Sequence, residues 1–239
     1  FKKFQKKSIN KKIYYKKIIN LLISIKNIKT KYQKTFLKTN YKVPDYSLKK
    51  LLDESNLFLD WYLPKYVKRG KSRILKIKFN KIFKKLLNNI YYKNKVFVHR
   101  DFHISNLMIT KKGLGLIDSQ DAVYGNIAYD LASLIDDVRF KTDIKTKKYI
   151  FDEFIKKNKQ LNLKKFKNDF EILSVLRNLK IIGIFTRLSV RDKKNKYLKL
   201  IPHAWELIDY RTLNNPIFKD LNYLLSKNFD RKIRKSYEN

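Results

Sequence analysis

Apolar residues recur at positions 14, 18, 21, 22, 25 and 28, the period of an amphipathic helix, and the stripe stops in the Lys/Thr-rich stretch 29–35. A second stripe, Tyr46 to Tyr66, carries Leu48, Leu51, Leu52, Leu57, Phe58, Trp61 and Tyr62, with Ser47 placed to cap it. A third runs from Ser72 to Tyr92. The pattern then shortens to strand-like runs: Val96–Val98, Leu107–Thr110 and Leu114–Ile117, the last two separated by Lys111-Lys112-Gly113, the composition of a tight hairpin turn. Asp121 to Gly125 reads as a loop. Helical periodicity resumes over Ile127–Val138 and continues at 144–159, 164–188, 197–212 and 216–227, where Asn215-Pro216 supplies a capping residue and a first-turn proline. The charged end, 228–239, reads as a frayed tail. The pattern predicts one α+β domain over 1–239, mostly helical, with a small β-hairpin near its middle.

The chemistry-bearing residues crowd around that hairpin. Segment 96–121 reads VFVHRDFHISNLMITKKGLGLIDSQD, so His99-Arg100-Asp101 leaves one strand end, Asn106 follows five residues after the Asp, and the hairpin returns Asp118 at another strand end. An H-R-D-x-x-x-x-N spacing with a later strand-terminal Asp is the catalytic-loop and metal-Asp arrangement of phosphoryl transfer. That reaction needs a carboxylate to orient and deprotonate an attacking hydroxyl, and hard oxygen ligands for Mg2+. Asp101 is the expected base, and Asn106 and Asp118 are the expected metal ligands. The competing reading is a surface hairpin with incidental acids, which leaves order and spacing unexplained.

The wording of these motifs, HRDFHISNLM, GLIDSQDAVYG and AYDLASLIDD, resembles the aminoglycoside phosphotransferase and choline kinase branch of the protein-kinase-like fold. Within it the chain is most similar to bacterial anomeric kinases of N-acetylmuramate and N-acetylglucosamine, whose motifs read close to HRDYHSRNLM and IDFQDA. The segments LFLDWYLPKYV (57–67) and KIIGIFTRLSVRDKKNKYLKLIP (180–202) resemble them too. The resemblance implies a mostly helical C-terminal lobe with a small catalytic β-hairpin and an ATP-dependent kinase of a small-molecule hydroxyl. The implied acceptor is the anomeric hydroxyl of an N-acetylated amino sugar in cell-wall recycling, with Mg2+ and ATP as cofactors. An aminoglycoside- or choline-type kinase, or a non-catalytic polyanion-binding module on the same scaffold, are the alternatives. It also implies that Asp130 braces the catalytic loop through its backbone N–H groups, against an exposed first-turn acid as the plain alternative. His99 and Arg100 fall to structural support of that loop.

Substrate contacts are less sharply drawn. His103 and Asp121 flank the motif. Glu54 and Trp61 lie on the second helical stripe, where a sugar-stacking aromatic competes with ordinary core packing. Arg191 suits the carboxylate of a lactyl-ether sugar, or forms a surface ion pair with Asp192. Ser119 stands where the similar kinases have Phe, which opens the question of how Asp118 is braced. None of the five glycines lies in a Gly-rich cluster and no strand-borne lysine precedes residue 14, so the N-terminal ATP lobe is expected to be absent from this sequence and the 239 residues alone to be inactive.

Composition adjusts this picture in two places. With no cysteine, disulfides and thiolate metal sites are excluded, and a soluble protein of the reducing cytoplasm is expected, with no targeting segment and no membrane partner. The net charge of +36 suggests a polyanion partner, yet 47 Lys stand against 10 Arg and are spread along the whole chain. Solvated helix faces are therefore favoured over a specific nucleic-acid surface, with salt-sensitive, sequence-blind binding the expected consequence of that charge. Sequence leaves the oligomeric state undefined.

Overall fold

A computed structural model describes residues 11–29, 32–34, 40–93, 95–111 and 113–237. The chain divides into two compact units. One is formed by residues up to Tyr46 with Tyr91–Phe170, the other by Ser47–Ile90 with Glu171 onward. No helix among the described residues is long and apolar enough to cross a membrane.

In the first unit, helix α1 (Lys11–Lys26) buries Tyr15, Ile18, Ile19 and Leu22, the stripe that the apolar spacing predicts. A small antiparallel pair comes next, β1 (Tyr32–Lys34) with β2 (Asn40–Lys42), in a stretch that carries no readable strand pattern. Strand β3 (Lys95–Val98) leads into the catalytic segment. Hairpin β4 (Leu107–Thr110) and β5 (Gly113–Leu116) pairs Thr110 with Gly113. Gly113 has φ +125°, a conformation that only glycine adopts without strain, and it closes the turn at the expected place. The segment read as a loop is instead partly strand: β6 (Val123–Asn126) pairs antiparallel with β3, Val98 opposite Val123. Four residues are too few to show alternation, and the pairing partner decides. Tyr124 and residues 44–46 exchange backbone bonds, Tyr46 N–H to Tyr124 O at 2.7 Å and Tyr124 N–H to Pro44 O at 2.8 Å. Helices α5 (Tyr129–Ile135) and α6 (Ile144–Lys156) complete this unit with the first turns of α7 (Leu163–Val190).

One buried carboxylate ties these pieces together. Asp169, 0% exposed, accepts Tyr91 N–H and Tyr92 N–H at 2.8 Å each, and Asn126 Nδ2 at 2.8 Å. It thereby fixes the chain entering β3 and the end of β6. Asp169→Asn places an amide against donors, and since hydrogen bonds to charged groups contribute about 1.5–3 kcal/mol, the expected loss is about 2 kcal/mol in urea unfolding. An unchanged midpoint would remove Asp169 from this role.

In the second unit Ser47 caps helix α2 (Leu48–Leu57), its hydroxyl accepting Lys50 N–H at 3.1 Å. The helix loosens into a π turn, Phe58–Tyr62, before α3 (Leu63–Tyr66) and α4 (Arg69–Asn88). Gly183 of α7 sits against this junction so closely that a Cβ there would lie 2.3 Å from the Leu57 carbonyl carbon. Helices α8 (Ile201–Thr212) and α9 (Lys219–Asn228) come after it, the latter preceded by a single turn capped by Asn215. The tail differs from the frayed end that its charge predicts. Asp230 caps a short helix, α10 (Arg231–Arg234); Arg234 lies 4.6 Å above the Trp205 ring and donates to the Phe229 carbonyl; and Tyr66 donates to Tyr237 at 2.8 Å. Phe229 and Trp205 join Phe58 and Tyr62 in one aromatic core, so the tail is held by apolar burial that a charge count does not reveal.

Candidate active site

Strand β3 delivers His99 to a chain reversal at Arg100, whose φ of +72° is a strained, left-handed conformation for a side chain of that size. The surroundings hold it there. The Asp130 carboxylate, buried in the first turn of α5, accepts His99 N–H at 2.7 Å and Arg100 N–H at 2.9 Å. Phe102 and Ile104, 0% and 2% exposed, anchor the next turn. Asp101 is thus carried between a strapped backbone and an apolar peg, a rigid mount for a side chain that stays partly exposed.

Asn106 is fixed from both sides. Its Nδ2 donates to the Asp101 carbonyl at 3.0 Å, and its own carbonyl accepts Ile117 N–H at 3.1 Å. His99 closes the loop, its Nε2 donating to the Ile117 carbonyl at 3.0 Å, since a carbonyl can only accept. Burial lowers the His99 pKa, outweighing the opposing pull of the Ile117 carbonyl and of the carboxylates of Asp101 and Asp118. Both carboxylates therefore lie near the same imidazole, which acts as a neutral structural donor. Asp118 itself has φ +71°. Two of the three non-glycine residues with positive φ among those described are thus Arg100 and Asp118, and such strain persists only where surroundings over-determine it.

The structure brings Asp101, Asn106, Asp118, His99, Arg100 and Asp130 into this one frame. Asp121 is exposed beside it: its carbonyl accepts Arg100 Nη1 at 3.2 Å and its carboxylate lies 3.9 Å away. His103 is 5% exposed and sits inside the fold. The other proposed substrate contacts belong to the second unit. There Glu54 is held by Lys180 at 2.7 Å, Trp61 lies half-buried on the π turn, and Arg191 clasps Asp192 through two bonds of 2.7 and 3.0 Å. These ion pairs occupy the two charges that the sequence reading offers to a sugar. Ser119 is exposed, and the backbone just before Asp118 is held by the bonds to Ile117.

Two contributors escaped the sequence reading. Gln120 Nε2 donates to Asp118 Oδ1 at 2.6 Å, a contact that its place two residues after the acid could have suggested. Tyr46 supports Arg100, with the guanidinium 5.4 Å from its ring centroid and its hydroxyl bonded to that of Tyr129 at 3.0 Å; the long separation in sequence hides it. Among the described residues no three His, Cys, Asp or Glu side chains converge on a cation site. One carboxylate, Asp118, and one amide oxygen, on Asn106, fit instead the habit of Mg2+, which keeps waters and takes most of its remaining ligands from phosphates.

Residues 38–155 match the model of the phosphotransferase enzyme family. An N-acetylmuramate/N-acetylglucosamine kinase of Neisseria meningitidis serogroup B is 36% identical over 169 residues, 67% of this chain and 50% of that protein. The protein of the same name from Pseudomonas aeruginosa is 28% identical over 190 residues, 77% of this chain and 56% of its own length. The chain thus spans about half the length of these curated relatives. Among solved structures, a Plasmodium vivax ethanolamine kinase superposes with a TM-score of 0.56 at 12% identity, covering 87% of this chain and 61% of the other. Amicoumacin kinase gives 0.53 at 15%, covering 84% and 60%. The fold is kinase-like.

Proposed function

We propose, on the premise that residues 38–155 of this chain belong to the phosphotransferase enzyme family, that the protein transfers the γ-phosphoryl group of ATP to a hydroxyl of a small molecule. The observation that carries this reading is the strapping of Asp101, Asn106 and Asp118 onto one frame by Asp130 and His99. Asp101 accepts the proton of the attacking hydroxyl and aims its oxygen at phosphorus. Asn106 and Asp118 would hold Mg2+. A divalent cation bound there supplies charge neutralisation for the phosphate oxygens; the amicoumacin kinase structure was solved with AMP-PNP and Ca2+. Because transfer of this kind is mostly positioning and electrostatics, the rigidity of the frame matters as much as the identity of the acids.

The acceptor in this reading is the anomeric hydroxyl of N-acetylmuramate or N-acetylglucosamine, which places the protein in cell-wall recycling in the cytoplasm. Support comes from relatives of that name at 28% and 36% identity. A 31P spectrum of the product distinguishes the outcomes: sugar 1-phosphates are expected with both sugars, whereas phosphorylation of choline or an aminoglycoside in their place sinks the acceptor assignment. Asp118→Ala is expected to abolish Mg2+-dependent nucleotide binding by calorimetry. Wild-type affinity in that variant would count against the cation assignment.

A further inference from the structure

Helix α7 carries a guanidinium for which the described residues provide no counter-ion. Arg177 is 4% exposed, its Nη1 is sealed from solvent without a hydrogen-bond partner, and no ion pair reaches it among the described residues. Leaving an arginine charged, buried and unmatched is among the costlier arrangements a protein can hold, and an unsatisfied buried group of this kind calls for an absent water or ion. The carboxylate that does reach this helix, Glu54, is taken by Lys180, three residues further on. Arg187 is half-buried, with an Nε that has no hydrogen-bond partner, but the Asp192 carboxylate lies near enough to act on its charge. At about 100° per residue, positions 177, 180, 187 and 191 fall within about 80° of one another around α7. They form a cationic stripe. Arg191 N–H bonds the Arg187 carbonyl at 2.8 Å and so continues the helical turn past Val190. Of the four, Lys180 pairs with Glu54 and Arg191 with Asp192, Arg187 also acts on the Asp192 carboxylate, and Arg177 has no acidic partner among the described residues.

We infer that the second unit binds a carboxylate-bearing small ligand on this face of α7, with Arg177 as the residue that recognises its charge. A planar guanidinium offers two parallel N–H groups to a carboxylate, which a lysine cannot. The ligand supplies the missing charge, so the site is stable when filled and strained when empty.

The choice of probe rests on the proposed function: N-acetylmuramate carries a carboxylate that N-acetylglucosamine lacks. Calorimetry without nucleotide, on the 239-residue chain, compares these two sugars and inorganic phosphate. N-acetylmuramate is expected to bind at least tenfold more tightly than N-acetylglucosamine, and Arg177→Met to erase the difference. Arg177→Lys, which keeps the charge and loses the fork, should weaken the preference without abolishing it, and serves if the Met variant misfolds. The ligand-free Arg177→Met protein should melt at or above the wild-type temperature, because Met replaces an unmatched charge by apolar volume. A lower melting temperature with the sugar preference intact would mean that Arg177 is structural, and overturns the proposal. Phosphate binding as strong as that of the acid sugar, and lost with Arg177, overturns its assignment to carboxylates. Neither result touches the phosphotransfer reading, which the Asp118→Ala nucleotide titration tests separately.

Discussion

An Asp101→Asn variant is expected to lose roughly 10²- to 10⁴-fold in kcat, the range for a removed general base, while binding Mg2+-nucleotide nearly as the wild type does. The carboxylate is needed only as the acceptor hydroxyl gives up its proton, so its loss falls on kcat and leaves ground-state affinity largely untouched. Asn is a fair test here because the frame does not use the Asp101 carboxylate as its main fastening. Asn106 bonds the Asp101 backbone carbonyl, and Asp130 bonds the backbone of the two preceding residues. Steady-state kinetics in a form of the protein that turns over, beside calorimetric nucleotide titration, separates the two quantities. Turnover within a few-fold of wild type would remove Asp101 from the role of base.

Gly183→Ala should lower stability by about 3 kcal/mol or more, at the upper end of the range for overpacking. The sign is informative, because the same change at an unencumbered helical site stabilises by about 1 kcal/mol. Here the added Cβ would lie 2.3 Å from the Leu57 carbonyl carbon, 2.4 Å from its oxygen and 2.5 Å from the Phe58 nitrogen, all backbone atoms that cannot rotate away. α7 or the α2-to-π junction must shift. For a chain of this size 1 kcal/mol moves the melting temperature by roughly 2–4 °C, so a drop of about 6–12 °C is expected by calorimetry. A variant as stable as wild type would mean that the two helices do not approach so closely.

Period and motif spacing express only the local part of this fold, and that part was legible in the residues alone. The α1 stripe, the Ser47 cap, the β4–β5 hairpin and the grouping of Asp101, Asn106 and Asp118 are local or nearly so. Asp130 was reachable because its place in a motif implied a bond to the catalytic loop. The remainder depends on partners distant in sequence. β6 is a strand because β3 lies beside it, Tyr46 supports Arg100 from far upstream, and the tail is fixed by Trp205 and Phe229 burying against the π turn. Glu54 and Arg191 show the converse: spacing along the sequence does not say which charge pairs with a neighbour, and the structure pairs them with Lys180 and Asp192, the latter being one of the two alternatives that the sequence left open.

The discontinuous build of the first unit bears on how the protein is made. Its chain leaves after Tyr46 and returns at Tyr91, and the Asp169 carboxylate that fastens Tyr91, Tyr92 and Asn126 is among the last of its residues to be translated. At roughly 5–20 residues per second, on the order of 6–25 s separate the emergence of residue 46 from that of residue 170. Throughout that interval Tyr15, Ile18, Ile19 and Leu22 of α1 wait for the larger share of their own unit, the part from residue 91 onward, before they can be buried. A nascent chain of this design presents an apolar, lysine-flanked helix to the cell well before it can be covered. Its yield in a living host should accordingly respond to holdase chaperones and to a lower growth temperature more than the stability of the finished fold would suggest.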